Sequence, residues 1–306
     1  MGSLHFYIVD VFAEEPLSGN QLAVFINTGS LTDRNRQQLA REMNYSEITF
    51  IESTELRDGG YDVRIYTPEK EVPFAGHPVL GTAYVIQREL VRSAVDRVTL
   101  NLKCGPIPVD FAYRGGEADI LWMHQPAPSF GKRLDAPDVA GVLGIAQPEI
   151  DDRFPIQEAS TGFPFILIPL RRLDSLKRCS VNLDLYYQLI ERAEAKALLV
   201  FCPETYSPEN QLSVRVFADY YGTREDPATG SANGALAAYL LNYRYFGEGD
   251  VSARVEQGYE IARRSLLFLR ARHREGEISV SVGGRVQPFA RSEVLCQFEG
   301  ATTRYG

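Results

Sequence analysis

At 306 residues, 44% hydrophobic and 24% charged, the chain has the composition of an ordinary globular protein and about twice the usual domain length of roughly 100 to 150 residues. No apolar run approaches the roughly 20 residues needed to span a bilayer. A formal charge of -8 with a pI near 5.2 argues against nucleic-acid binding, which needs a clustered basic face.

The opening MGSLHFYIVDVF lacks a basic flank followed by an apolar core and cleavage site, and reads at once as a strand, so a cytoplasmic protein is expected. FYIVDVF at 6–12 and QLAVFI at 21–26 predict two strands joined by a turn at Pro16 to Gly19. A helix capped by Thr32, with Leu39, Ala40 and Met43 inward, is expected to run to about Asn44, and the next strand starts at Ile48. Glu47 therefore falls at a helix-to-strand junction. Gln125 to Ile156, rich in proline, aspartate and glycine, suits a linker carrying one short helix. The order then repeats: TGFPFILIPL at 161–170 resembles SGNQLAVFI, a helix is predicted over 183–196, and ALLVFC at 197–202 is a strand. Cys104, Cys179, Cys202 and Cys296 are too scattered for a disulfide framework or a paired-thiol zinc site.

The repeat is clearest in one segment written twice. VRIYTPEKEVPFAGHPVLGTAY, from Val63 to Tyr84, recurs in altered form between Val214 and Tyr239, with Pro73 and Gly76 matching Pro227 and Gly230. Where the copies differ, His77 faces Ser231 in the alignment and Val72 faces Asp226. Polar groups that break the symmetry point to a site built between two related halves. After each glycine, HPVLGTAYVI and SANGALAAYLL are small or apolar all round, and a helix with no polar face is buried on every side. In a soluble half of about 130 residues such a helix must be wrapped by a curved sheet. Each half then reads as a small α+β barrel around a central helix. Pro78 suits the first turn and Ser231 is a good cap or near-cap residue. Two helix starts facing one cleft would bind a carboxylate, because their unpaired N–H groups carry the positive end of the dipole.

NYSEITFI at 44–51, PFAGHPVLGTA at 73–83, STGFPFILIPL at 160–170 and EDPATGSANGALAAYL at 225–240 resemble the signatures of the phenazine-biosynthesis PhzF-like isomerases over nearly the whole chain. The resemblance implies the diaminopimelate epimerase fold, two pseudo-symmetric barrels each with a central helix, and a homodimer. It also implies that the C-terminal strand, about 287–306, returns to the first barrel (1–124), leaving 125–286 as the second. Carried over, the family's acid/base glutamate falls on Glu47, its histidine on His77, its aspartate on Asp226 and its serine on Ser231. Gly76 and Gly230, with the backbone that follows, match the positions that hold the substrate carboxylate. Ser46 is expected to help orient the substrate. Glu256, Gln257 and Gly258 keep the family's EQG run, but IARRS at 261–265 replaces the Gly and Pro usual after it, leaving Arg263 or Arg264 at the arginine position.

The residue types set the chemistry. Moving a proton between carbons needs a base that removes it and a conjugate acid that returns it, and desolvation raises a carboxylate's pKa toward the working range. The expectation is an isomerase needing no cofactor or metal, with Glu47 as general acid/base and His77 and Asp226 holding polar groups or relaying a proton, acting on a small cyclic or unsaturated carboxylic acid. A one-base epimerase on the same fold and a non-catalytic small-acid binder are the alternatives. A two-base racemase would place a thiol at each central-helix entrance, where this chain has His77 and Ser231. A hydrolase would show G-x-S-x-G, where Gly230 to Gly234 reads GSANG. Neither membrane nor nucleic acid is an expected partner.

Overall fold

The computed structural model describes residues 4–296 and Phe298. It divides into two compact units, Met1–His124 with Gly284–Gly306, and Gln125–Gly283. The first unit runs β1 (Leu4–Val11), β2 (Asn20–Phe25), α1 (Asp33–Met43), β3 (Ile48–Ile51), β4 (Tyr61–Tyr66), β5 (Glu71–Val72), α2 (Gly76–Val85), β6 (Arg97–Leu102), β7 (Gly105–Arg114) and β8 (Glu117–His124). The second has β9 (Ser129–Arg133), α3 (Ala136–Leu143), β10 (Gln157–Ser160), β11 (Pro164–Pro169), α4 (Leu173–Arg178), α5 (Leu183–Glu191), β12 (Ala197–Cys202), β13 (Leu212–Ala218), β14 (Thr223–Asp226), α6 (Gly230–Asn242), β15 (Val251–Gln257), β16 (Ser265–Arg274) and β17 (Glu277–Gly284). The last strand, β18 (Val286–Val294), lies antiparallel to β1, with Leu4 opposite Val294 and Val11 opposite Val286.

The two units share one topology. In the first, β1 is antiparallel to β2, β2 parallel to β3, β3 antiparallel to β4, and β4 parallel to β6, which continues antiparallel through β7 to β8. In the second, β10, β11, β12, β13, β15, β16 and β17 repeat the same sequence of pairings. The written repeat is reproduced down to register: Ile65 faces Val72 across β4 and β5, and Val216 faces Asp226 across β13 and β14. A paired arginine recurs as well. Arg64 holds Glu71 at 2.8 and 2.6 Å, and Arg215 holds Glu225 at 2.9 and 2.7 Å.

The expected central helices are present. All ten residues of α2 and all but the last of α6 are buried. α2 packs against β1, β2, β3, β6, β7, β8 and β18, and α6 against β10, β11, β15 and β16. Full burial of a side chain such as Val79 or Leu80 stabilises the unit by roughly 1.5–3 kcal/mol. Close approach depends on Gly81, where an added Cβ would lie 2.6 Å from Leu22 Cδ2 and 2.8 Å from Val11 Cγ2. On the outer face of the first unit, α1 covers a core of Ala23, Phe25, Leu39, Ala40, Ile48 and Phe50. Rings of Phe6, Phe25, Phe50 and Tyr66 run through it at centroid spacings of 5.0, 5.1 and 5.5 Å.

Three expectations need correction, and a fourth is described only in part. The 125–156 stretch is not a linker: β9 pairs with β10, and Val139, Ala140, Val142 and Leu143 of α3 belong to the second unit's core. The helix predicted over 183–196 stops at Glu191, because the Lys196 ammonium folds back onto the carbonyls of Ile190 and Ala193 and Ala195 N–H donates to Glu158 Oε1 at 3.0 Å. Phe12, placed in the first strand, has φ 62° and ends it. Of the C-terminal strand expected over about 287–306, the segment to Val294 is strand, while residue 297 and residues 299–306 lie outside the described residues. Among the described residues no helix is long and apolar enough to cross a membrane.

Candidate active site

The expected site residues fall into two groups, one in each unit. In the first, the chain is brought to Glu47 by the end of α1. Thr32 caps the helix with a reciprocal capping box, Asn35 N–H donating to Thr32 Oγ1 at 3.2 Å and Thr32 N–H to Asn35 Oδ1 at 3.0 Å. The helix closes at Asn44 in the left-handed region, φ 51°, its N–H donating to Ala40 O at 3.1 Å. Tyr45, Ser46 and Glu47 then lead into β3, setting Glu47 opposite the start of α2.

Glu47 Oε2 lies 3.7 Å from His77 Nδ1, with the Glu47 side chain 22% exposed and that of His77 4%. Burial pushes the His77 pKa down to about 3, outweighing a hydrogen bond with the Gln21 backbone. The imidazole is therefore neutral at ordinary pH, and its approach to Glu47 is a polar contact, not an ion pair. Asn20, buried beside it, presents Nδ2 to His77 Nδ1 at 3.2 Å and receives Ser46 Oγ on its Oδ1 at 3.4 Å. His77 Nε2 is buried with no hydrogen-bond partner among the described residues. Gly76, His77 and Pro78 form the first turn of α2, whose start at Ala75 has no side-chain cap.

In the second unit, Asp226 ends β14 and Gly230 and Ser231 begin α6. Ser231, expected as a cap or near-cap, is the second residue of the helix; the cap position is Thr229. Its hydroxyl does not close the helix but donates to Asp226 Oδ2. Gln257 Nε2 donates to the Asp226 carbonyl at 2.8 Å and to Thr229 Oγ1 at 3.0 Å, and Gln257 Oε1 accepts from Thr229 N at 3.2 Å and Asn233 Nδ2 at 2.9 Å. Gln125 Nε2 reaches Gly230 O at 3.3 Å and its Oε1 accepts from Thr161 Oγ1 at 2.6 Å. The missing Gly and Pro after the EQG run are replaced by a short 3₁₀ turn, Tyr259–Ile261, entered through Gly258 at φ 78° and left through Ala262 at φ 57°. Arg264 beyond it is exposed, its guanidinium 5.5 Å from the Tyr259 ring centroid. Among the described residues no three His, Cys, Asp or Glu side chains cluster as metal ligands.

Asn20, Thr229 and Gln257 were not singled out as site residues by the sequence, although a signal existed for two of them. In the matched copies, Asn20 stands against Phe163 and Thr229 against Ala75, the same polar-for-apolar exchange that marks Asp226 against Val72.

Two matched units, each closing on an apolar helix whose uncapped start carries the polar groups, define an enzyme of the epimerase-like α+β class. The comparisons make this specific. The model of the phenazine biosynthesis-like protein family, PhzC-PhzF, matches residues 9–291, and the chain belongs to that family of isomerases. It is 33% identical over 289 residues to trans-2,3-dihydro-3-hydroxyanthranilate isomerase of Pseudomonas aeruginosa, covering 94% of this chain and 98% of that one. It is 30% identical to an uncharacterized isomerase of Clostridium acetobutylicum, covering 94% and 97%. The crystal structure of the Bacillus anthracis PhzF-family phenazine biosynthesis protein superposes with a TM-score of 0.87 at 26% identity, covering 97% of this chain and all of that one. A probable proline racemase from Agrobacterium radiobacter, 13% identical, shares the fold with a TM-score of 0.65, covering 97% and 94%.

Proposed function

We propose that this isomerase moves a proton within a small cyclic or unsaturated carboxylic acid, with Glu47 as general acid/base and without a cofactor. The observation that carries the reading is Glu47 Oε2 standing 3.7 Å from a buried, neutral His77 whose Nε2 has no partner among the described residues. The Glu47 carboxylate takes a proton from a ring carbon, the electron pair left behind delocalises through the adjacent double bond, and the same carboxyl returns the proton to the far carbon. His77 meets one polar group of the substrate through Nε2, and Asp226 accepts from another. The N–H groups at Gly76 and at Gly230, with the residues after each, are the proposed carboxylate-binding groups of their own units, each at the positive end of its helix, α2 or α6. Ser46 and Ser231 complete the orientation. The substrate class follows the relatives: a dihydro-hydroxyanthranilate is an unsaturated ring bearing a carboxyl group, and we take it as the first substrate to assay.

In D₂O with trans-2,3-dihydro-3-hydroxyanthranilate, the wild-type chain is expected to incorporate deuterium during isomerisation, followed by proton NMR. Glu47→Gln, folded by circular dichroism, is expected to lose about 10² to 10⁴ in rate. Undiminished turnover by that variant rejects the role of Glu47. Exchange at one carbon without a shifted double bond would make the chain a one-base epimerase, and binding without exchange a small-acid receptor. The family resemblance also leads us to propose a homodimer, with sedimentation equilibrium expected to give twice the 34.3 kDa chain mass; a monomer at micromolar concentration removes that part. A cytoplasmic location remains our reading of the sequence.

A further inference from the structure

The carboxamide of Gln257, at the end of β15 and 1% exposed, has both its hydrogens and both its acceptor directions taken up by the turn that carries Asp226 and by Asn233 in the first turn of α6. Its orientation is determined by these partners, since a flipped amide would set its oxygen against the Asp226 carbonyl and its NH₂ against the Thr229 N–H and the Asn233 NH₂. Because the Thr229 hydroxyl accepts from Gln257 Nε2, its own proton goes to Asp226 Oδ2. The result is a directed chain, from Gln257 amide to Thr229 hydroxyl to Asp226 carboxylate. The same hydroxyl is thereby withheld from capping α6.

The segment around Gln257 is built to hold this geometry. Glu256, also 1% exposed, accepts from Tyr206 N at 2.7 Å, Ser207 N at 2.8 Å, Asn210 Nδ2 at 2.6 Å and Ser213 Oγ at 3.0 Å. On the other side, a Cβ on Gly258 would stand 2.7 Å from the Pro227 carbonyl oxygen and 2.3 Å from that of Arg263. The 256–258 backbone is thus anchored by a buried carboxylate before Gln257 and pressed directly against the Asp226–Pro227 turn after it.

We infer that Gln257 and Thr229 are positioning residues for the proton shift: they aim the Asp226 carboxylate and leave the start of α6 without a side-chain cap, its amides directed at a ligand. The inference rests on the proposed role of Asp226. Misplacing a reacting or binding group by about 1 Å costs on the order of 10²-fold in rate.

The test uses the full chain and trans-2,3-dihydro-3-hydroxyanthranilate turnover in D₂O, with circular dichroism and melting to establish folding. Thr229→Val, which keeps the shape and loses the hydroxyl, is expected to lower kcat by about 10²-fold, KM changing by less than about 3-fold. Thr229→Ser, which restores the hydroxyl, is expected to recover most of that loss, which a merely structural role for the side chain would not produce. Gln257→Glu, lacking the NH₂, is expected to behave like Thr229→Val. Wild-type rates in Thr229→Val and Gln257→Glu, with Asp226→Asn inactive, overturn the positioning role alone. Should Gln257→Glu not fold, the Thr229 pair still decides it. An active Asp226→Asn, or a wild-type chain that neither exchanges nor converts the probe, overturns the proposed function and the inference with it.

Discussion

His77 illustrates how burial selects a protonation state. An imidazole free in water takes up a proton near pH 6.5, but this one does so only near pH 3 because the ring is enclosed at the start of α2. The sign of the linkage follows. Between pH 6.5 and about 3 the unfolded chain binds the extra proton and the folded chain does not, so stability falls as the pH falls through that window, and above it the residue costs nothing. His77→Gln, which cannot ionise, should flatten the dependence of the urea midpoint on pH between 6.5 and 4, by up to about 1.4 kcal/mol per pH unit for one proton. An unchanged slope would mean that the histidine is protonated in the fold. The same residue shows what a sequence conveys at this scale. Its identity and position beside a glycine turn are written in the chain, but the amide that meets its Nδ1 belongs to Asn20, 57 residues away.

At the scale of elements, the paired arginines show one device used in two ways. Arg64 joins β4 to β5 through Glu71 and also reaches Asp33, with its side chain 18% exposed. Arg215 joins β13 to β14 through Glu225, and its Nη1 also donates to the carbonyls of Leu176 at 3.0 Å, Lys177 at 3.3 Å and Cys179 at 2.8 Å, closing the end of α4. A planar guanidinium serves all these acceptors at once, which an ammonium cannot. Arg215→Lys should therefore destabilise the chain by about 3 kcal/mol, leaving a largely enclosed carboxylate and helix carbonyls short of donors, and Arg64→Lys by only about 1 kcal/mol. Equal costs in urea denaturation would show that the α4 carbonyls do not matter. Element ends were the least legible part of the sequence. The residues of 192–196 are good helix formers, yet the lysine among them caps carbonyls instead of extending the helix. The prolines and glycines of 125–156 read as a linker because the pairing of β9 with β10 joins segments more than twenty residues apart.

Across the whole molecule, the positions that agree between the two copies form the scaffold, and those that differ carry the candidate chemistry. Arg64 and Arg215, Glu71 and Glu225, Pro73 and Pro227, Gly76 and Gly230 recur because strand pairing and helix entry impose the same demands on each unit. Asn20 against Phe163, Val72 against Asp226, Ala75 against Thr229 and His77 against Ser231 diverge, each exchanging residues of unlike chemistry at matched places in the two units. The repeat, the two buried helices and their glycine entrances were therefore readable from residue types alone: an all-round apolar helix too short to cross a membrane has only the protein interior open to it. Tertiary structure alone decided that Thr229 turns its hydroxyl to Asp226, that Gln257 aims both, and that Glu256 and Gly258 brace the segment that does so. Those assignments depend on hydrogen-bond directions across distant strands, and a one-dimensional pattern, which records residue type and spacing, contains no directions.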